Sequence, residues 1–263
     1  MNQLCSYSNA SRHTNDRWKE FPTALRRVVP QRLPRDTDPL TSGPGRAPRD
    51  PSVYNPPMPS SLYDRLLLPR LIDCACGLGV VSRQRARVVP RAHGRVLEIG
   101  IGTGLNLAHY DAGRVTGIVG VDPGVEMHPL ALRRAREAGL AVELMPLSAE
   151  TLPAPDASFD SIVCTYSLCT IPDPAAALAE MRRVLKPGGE LLFSEHGRAP
   201  DPRVRAWQRR LQPLWTPLAG GCQLGRDIPA LLAAAGFTAQ MHARYLHRPH
   251  FAGYHYWGWA GRG

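Results

Sequence analysis

Five residues stand at spacings that suggest chemistry: Glu98, Gly100, Gly102, Gly104 and Asp122. The glycines recur at every second position of Val96-Leu97-Glu98-Ile99-Gly100-Ile101-Gly102-Thr103-Gly104. Glycine adopts positive φ and lets a backbone approach a ligand closely. The apolar run from Arg95 to Ile99 reads as a buried strand. A helix is expected from about Leu105, its first N–H groups facing an anionic or polar group. This is not the dinucleotide spacing G-x-G-x-x-G, whose third glycine would fall at Leu105. Asp122 lies 18 residues beyond Gly104, directly after Ile118-Val119-Gly120-Val121. Nucleotide-binding sheets place there the carboxylate that accepts both ribose hydroxyls. An aspartate before Pro123 would equally cap a helix.

A second group of residues stands where later strands should end. Tyr166 closes a predicted strand Phe159–Tyr166, and His196 follows a strand Glu190–Glu195. Strand ends of this kind face the ligand crevice of an open α/β sheet. A phenol or an imidazole there could handle a proton. A hydrogen-bonded structural histidine or an aromatic pocket wall would account for the same residues. Trp207, Leu211 and Trp215 repeat every four residues on one predicted helix face. They lie within Gly197–Arg226, a connection longer than usual and so a functional candidate.

The elements that must position these residues alternate from Arg95 onward, as in a doubly wound parallel sheet. Further strands are expected at Val115–Val121 and Ala141–Met145. Helices are expected at Val125–Ala138, stopped by Gly139, after Asp173-Pro174, and at Ile228–Ala235. Thr238–Leu246 and Tyr254–Ala260 should form an antiparallel edge hairpin. Ahead of the sheet, Ser61–Arg85 reads as helix, kinked or split at Pro69, with a second short helix at Val80–Val88.

Composition narrows the class. A chain of 263 residues, 43% apolar and 21% charged, has room for one α/β domain with a sizeable core. Residues 1–57 hold nine prolines and nine basic residues against five acidic ones. They read as a disordered basic tail, with 58–94 as N-terminal helices over the ligand site and 95–263 as the main domain. The formal net charge of +10 is scattered rather than gathered in a stripe, so no nucleic-acid partner is expected. Six cysteines form no CxxC pair and no zinc spacing, so no metal site is expected and Cys169 and Cys222 read as packing. With no run long enough to span a bilayer, a reduced cytoplasmic setting is expected, with at most peripheral membrane contact.

Glu98-x-Gly-x-Gly-x-Gly resembles the first motif of class I S-adenosylmethionine (SAM)-dependent methyltransferases. Ser148-Ala149-Glu150-Thr151-Leu152-Pro153 resembles their adenine-reading segment, with Ser148 in place of the usual Asp. Phe159-Asp160-Ser161-Ile162-Val163 and Leu185-Lys186-Pro187-Gly188-Gly189 resemble their fourth-strand entry and fifth-strand turn. Three stretches are similar to alkyl-thiol S-methyltransferases and their uncharacterised bacterial relatives: Cys164–Thr170, Ser194–Gly197, and Trp207 to Asp227. The likeness covers about Tyr63 to Trp259. It implies a SAM site made by Glu98, Gly100, Gly102, Gly104, Asp122, Pro123, Ser148, Ala149 and Thr165. Catalysis would fall to His196 and Tyr166, and Trp207, Trp215 and Arg226 would contact a small-molecule methyl acceptor. A thiol is the leading acceptor. A lipid or quinone precursor is the alternative, and a non-enzymatic SAM- or nucleic-acid-binding role is the reading from another class.

Overall fold

The computed structural model describes Asp73, Cys74 and residues 76–262. The 1–57 tail, Pro69 and most of the Ser61–Arg85 helix lie outside the described residues. Within them the first helix breaks at Gly77-Leu78, where Leu78 turns extended (φ −53°, ψ 140°), and α1 restarts at Gly79 and runs to Val88.

One seven-stranded sheet follows, built from β1 (Gly94–Ile99), β2 (Val115–Val121), β3 (Val142–Met145), β4 (Phe159–Thr165), β5 (Leu185–His196), β6 (Phe237–Tyr245) and β7 (Tyr254–Arg262). Their order is β3-β2-β1-β4-β5-β7-β6. The first five are parallel, and β7 runs antiparallel between β5 and β6. The expected C-terminal hairpin is therefore present, with its second strand inside the sheet. The connecting helices are α2 (His128–Ala138), α3 (Pro174–Val184), α4 (Pro202–Leu218) and α5 (Ile228–Ala234). Asp173, Asp201 and Asp227 cap the last three by accepting backbone N–H bonds, each followed within two residues by proline.

The central strands are covered on both faces, which is why consecutive residues such as Val96-Leu97 in β1 and Ile162-Val163-Cys164 in β4 are all apolar. Val96, Ile162, Val163, Leu191 and Leu192 are fully buried. The chain leaves β1 for β2 and β3 on one side, then returns to β4 on the other. β1 and β4 pair from Val96↔Ser161 to Ile99↔Cys164. Their carboxyl ends therefore open side by side at the switch point of the sheet, where a ligand crevice forms.

One expected element is missing. The helix predicted from Leu105 is a single 3-10 turn, Leu107–His109. Few residues separate Gly104 from Val115, and the Asp111–Gly113 turn uses three of them, with Gly113 N and Arg114 N both bonded to Asp111. Asn106 and Tyr110 also turn inward instead of continuing a helical face.

Gly100 shows how tightly the turn is seated. Its φ is +66°, and a Cβ there would lie 2.1 Å from Ser167 Oγ. Gly139, the αL cap of α2, has φ +67° and open space around its missing Cβ. Gly139→Ala is therefore expected to cost about 1 kcal/mol, the αL penalty alone. Gly100→Ala should cost several-fold more in denaturant unfolding, because overlap adds to strain. Equal costs would show that the turn is not seated against Ser167.

Candidate active site

Asp122 directly follows β2 and is buried. Its Oδ2 accepts Gly102 N–H at 2.9 Å and its Oδ1 accepts Gly124 N–H at 2.8 Å. The carboxylate thus holds the glycine turn against the loop after β2. Burial pushes its pKa up, against the two backbone bonds that favour the charged form. Pro123 continues the loop, with its carbonyl accepting Val125 N–H at 3.1 Å. The three glycines differ in use. Gly100 and Gly104 lie against protein atoms, Ser167 and Leu107 with Ala131 respectively, whereas a Cβ on Gly102 would find no atom nearer than 3.7 Å. Gly102 therefore leaves room above the turn next to a carboxylate with free lone pairs, as a ribose diol requires.

Glu98 lies beneath the turn, fully buried. Asn106 Nδ2 donates to one oxygen at 3.0 Å and Tyr110 O–H to the other at 2.7 Å. Both oxygens are thus committed to the segment after the glycines, so the residue shapes the turn. Asn106 also meets Thr165, and Arg85 of α1 donates to both Asn106 Oδ1 (2.8 Å) and Thr165 Oγ1 (2.5 Å). The Thr165 side chain is therefore held inside this network. Arg85 is buried, stacks over Tyr166 at 5.0 Å, and keeps Nε without a hydrogen-bond partner among the described residues. Asp73 reaches the same turn: it accepts from Thr103 Oγ1 and pairs with Arg134 at 2.7 Å. Sequence reasoning missed Arg85, Asn106, Tyr110 and Asp73. On the other flank Ser148 donates to Glu150, whose second oxygen accepts Asp173 N–H at 2.7 Å, and Ala149 is buried beside it. Ser148 Oγ keeps acceptor capacity for an amino group.

Tyr166 follows β4 with φ +55°, a left-handed conformation rare for an aromatic residue and typical of functional turns. Its hydroxyl lies 3.3 Å from Ser194 Oγ and 3.4 Å from His255 Nδ1. Burial pushes its pKa up, so it acts as a donor or wall in preference to a phenolate base. His196, at the end of β5, has Nε2 3.1 Å from Cys222 Sγ. Trp215 Nε1 donates to the same sulfur at 3.0 Å. Burial opposes protonation of His196, yet the bond to Cys222 and the charges of Cys222 and Glu195 hold its pKa above the ordinary value. Cys222 is held well below an ordinary thiol by hydrogen bonds from Cys169, His196 and Trp215, against burial. Both shifts run in the direction that favours a thiolate beside an imidazolium.

The structure thus joins His196 with Trp215, and Tyr166 with the glycine side through Arg85. It does not bring Trp207 to them. Trp207 is 55% exposed and lines, with Val204, Leu211, His250 and Phe251, an apolar cavity of about 320 Å³. Arg226 donates to the Ile171 carbonyl at 2.7 Å, tying the end of the 197–226 connection to the turn after β4. Gln208, also missed, is buried and donates to the carbonyls of Gly197, Leu224 and Phe251, anchoring α4 to the end of β5.

Glu98 and Glu195 contribute a falling component to the pH dependence of stability. Burial raises each from an ordinary 4.5 to about 7. A carboxyl whose folded pKa exceeds its unfolded value takes up a proton on folding. Its contribution is full below the unfolded pKa and lost as pH rises through the folded one. Each of these two carboxyls should lower unfolding free energy between about pH 5 and pH 7.5, by at most roughly 3.4 kcal/mol, against the rise that the lowered Cys222 and His255 contribute over much of the same range. Glu98→Gln should flatten part of that slope in denaturant titrations, and an unchanged slope would place the proton uptake elsewhere.

With this geometry, the likeness to known proteins is informative. Residues 97–193 match a methyltransferase domain family. The chain is 36% identical over 135 residues to the thiol S-methyltransferase TMT1B of Rattus norvegicus, covering 50% of this chain and 55% of that protein. It is 31% identical over 200 residues to the demethylmenaquinone methyltransferase of Thermus thermophilus, covering 68% and 89%. The crystal structure of the YcgJ protein from Bacillus subtilis superposes with a TM-score of 0.52 at 27% identity, over 66% of this chain and 75% of that one. The chain spans between half and two thirds of the length of the first curated relatives it matches. The Thermus protein, by contrast, is matched along nearly its whole length, which extends the likeness from motifs to a complete domain. The chain belongs to the methyltransferase domain family and has the class I, SAM-dependent fold.

Proposed function

We propose that this protein transfers the methyl group of SAM to a small-molecule thiol. The observation that carries the SAM part is the Asp122 carboxylate bridging Gly102 and Gly124 at the carboxyl edge of the sheet. Asp122 would accept the ribose hydroxyls, Ser148 and Ala149 would meet adenine, and the turn at Gly102 would lie along the methionine end. Glu98 supports that turn from below, and Pro123 shapes the loop beside the ribose. The missing helix after Gly104 fits a ligand without phosphate, which needs no helix N-terminus.

SAM supplies a methyl carbon already activated by its sulfonium, so the chain's task is to align an acceptor and exclude water. A free thiol has a pKa near 8.5 and must react as thiolate. His196, beside Cys222 at the end of β5, would help hold the acceptor sulfur in its thiolate form. Tyr166 would orient the acceptor through its hydroxyl, and Trp215 would wall the pocket from α4. The 197–226 connection then acts as a substrate cover anchored by Gln208, with Trp207 and Arg226 contributing through packing and through the Ile171 carbonyl. The name of the rat relative supports a thiol, and that of the Thermus relative keeps a quinone precursor as the second reading.

Labelled SAM offered with a panel of thiols, demethylated hydroquinones and phosphatidylethanolamine should label the thiols. Label on hydroquinones or lipid alone would overturn the thiol assignment. With the accepted thiol, His196→Ala should lower turnover by about a hundredfold or more and leave SAM affinity nearly intact. An unchanged rate would remove His196 from catalysis.

A further inference from the structure

Cys169, His196 and Cys222 lie far apart in sequence, and the fold gathers them. Cys169 follows β4, His196 ends β5, and Cys222 lies in the loop after α4. One ligand atom from each lies within 4.8 Å of the other two. Cys169 and Cys222 are buried, at 3% and 7% exposure, while His196 keeps partial exposure. Two sulfurs and one imidazole nitrogen form the donor set of a borderline-soft cation. Zinc binds cysteine sulfur at about 2.3 Å and histidine nitrogen at about 2.0–2.1 Å, which sets ligand atoms roughly 3.3–3.8 Å apart in a tetrahedron. His196 Nε2 and Cys222 Sγ lie at 3.1 Å, slightly inside that range, and no pair exceeds 4.8 Å, so side-chain adjustments of a few tenths of an ångström to about 1 Å reach the required geometry. Trp215 N–H, bonded to Cys222 Sγ, provides the kind of outer hydrogen bond that orients a thiolate ligand.

We propose that Cys169, His196 and Cys222 bind one thiophilic cation, zinc or cuprous copper, and leave a fourth coordination position open. Three protein ligands with one open position is the arrangement of a working metal site, whereas a structural zinc is closed by four. The open position would take the sulfur of the methyl acceptor as thiolate, with its proton released to solvent. Attack then forms the new sulfur–carbon bond as the sulfonium–methyl bond breaks, giving a thioether and S-adenosylhomocysteine. This use rests on the thiol reading; the binding of the cation does not. The pairwise spacing of these residues in the sequence, 26 and 27 positions, gives no hint of the site.

The test is titration of the full chain, stripped of metal and reduced under anaerobic conditions, with cobalt(II) as an optical probe. One equivalent should produce a thiolate-to-cobalt charge-transfer band and the visible bands of tetrahedral cobalt, both displaced by zinc. Cys222→Ser, Cys169→Ser and His196→Ala should each weaken binding at least tenfold, and Trp215→Phe should weaken it about tenfold while the band persists. Cys74→Ser, at an exposed position, should bind as the parent does. Circular dichroism on each variant separates loss of the site from loss of the fold. No charge-transfer band in the reduced parent, or a band that survives in Cys169→Ser/Cys222→Ser, would overturn the proposal. Failure of the thiol reading would appear in the labelled-SAM panel and leave this titration unchanged.

Discussion

The buried Asp122 carboxylate is the constraint on which the rest of the crevice depends. It has to be paid for in desolvation, and the N–H groups of Gly102 and Gly124 supply the offset. Those two bonds fix the glycine turn relative to β2, and so fix the level at which a ligand would lie over the sheet. Remove the carboxylate and the N–H groups of Gly102 and Gly124 lose their partner. The turn is braced from below as well, by Glu98 through Asn106 and Tyr110, and from α1 by Arg85.

The two halves of the crevice are built from different materials. The glycine side is backbone held by carboxylates, which suits recognition of a polar, sugar-bearing ligand. The opposite side is made of polarisable and titratable groups: Tyr166 in a left-handed turn, His255 beside it, and the His196–Cys222 pair with Trp215. Arg85 touches both, bonding Thr165 and stacking over Tyr166. The two sides therefore share one buried guanidinium.

The sheet was legible in the sequence because its central strands are buried on both faces and so are rich in Val, Ile and Leu, as in Val96-Leu97, Ile118-Val119, Ile162-Val163 and Leu191-Leu192. Asp122 was legible as a candidate because it directly follows Ile118-Val119-Gly120-Val121, whereas its bonds to Gly102 and Gly124 were not. The short 3-10 turn after Gly104 was not, since apolar Leu105 and Leu107 continue a helical pattern and only the inward bonds of Asn106 and Tyr110 break it. Arg85 was hidden among Arg83 and Arg87, which are exposed, and no local pattern separates the three. The meeting of Cys169, His196 and Cys222 depends on which strand ends and loops become neighbours, and pairwise spacing in the chain carries no trace of that. Trp207 and Trp215 share the four-residue repeat that suggested one role, yet only Trp215 reaches Cys222, because the repeat cannot say which turn of α4 overhangs the crevice.

The central claim is that the crevice over Gly102 and Asp122 binds SAM. Calorimetric titration of SAM into the parent chain and into Asp122→Ala, with unfolding midpoints recorded on the same samples, tests it most directly. The parent should bind one equivalent, and a folded Asp122→Ala should bind roughly ten- to a hundredfold more weakly, as expected when hydrogen bonds to a charged group are lost. No heat from the parent at millimolar SAM, or equal affinity in the folded variant, would contradict the account.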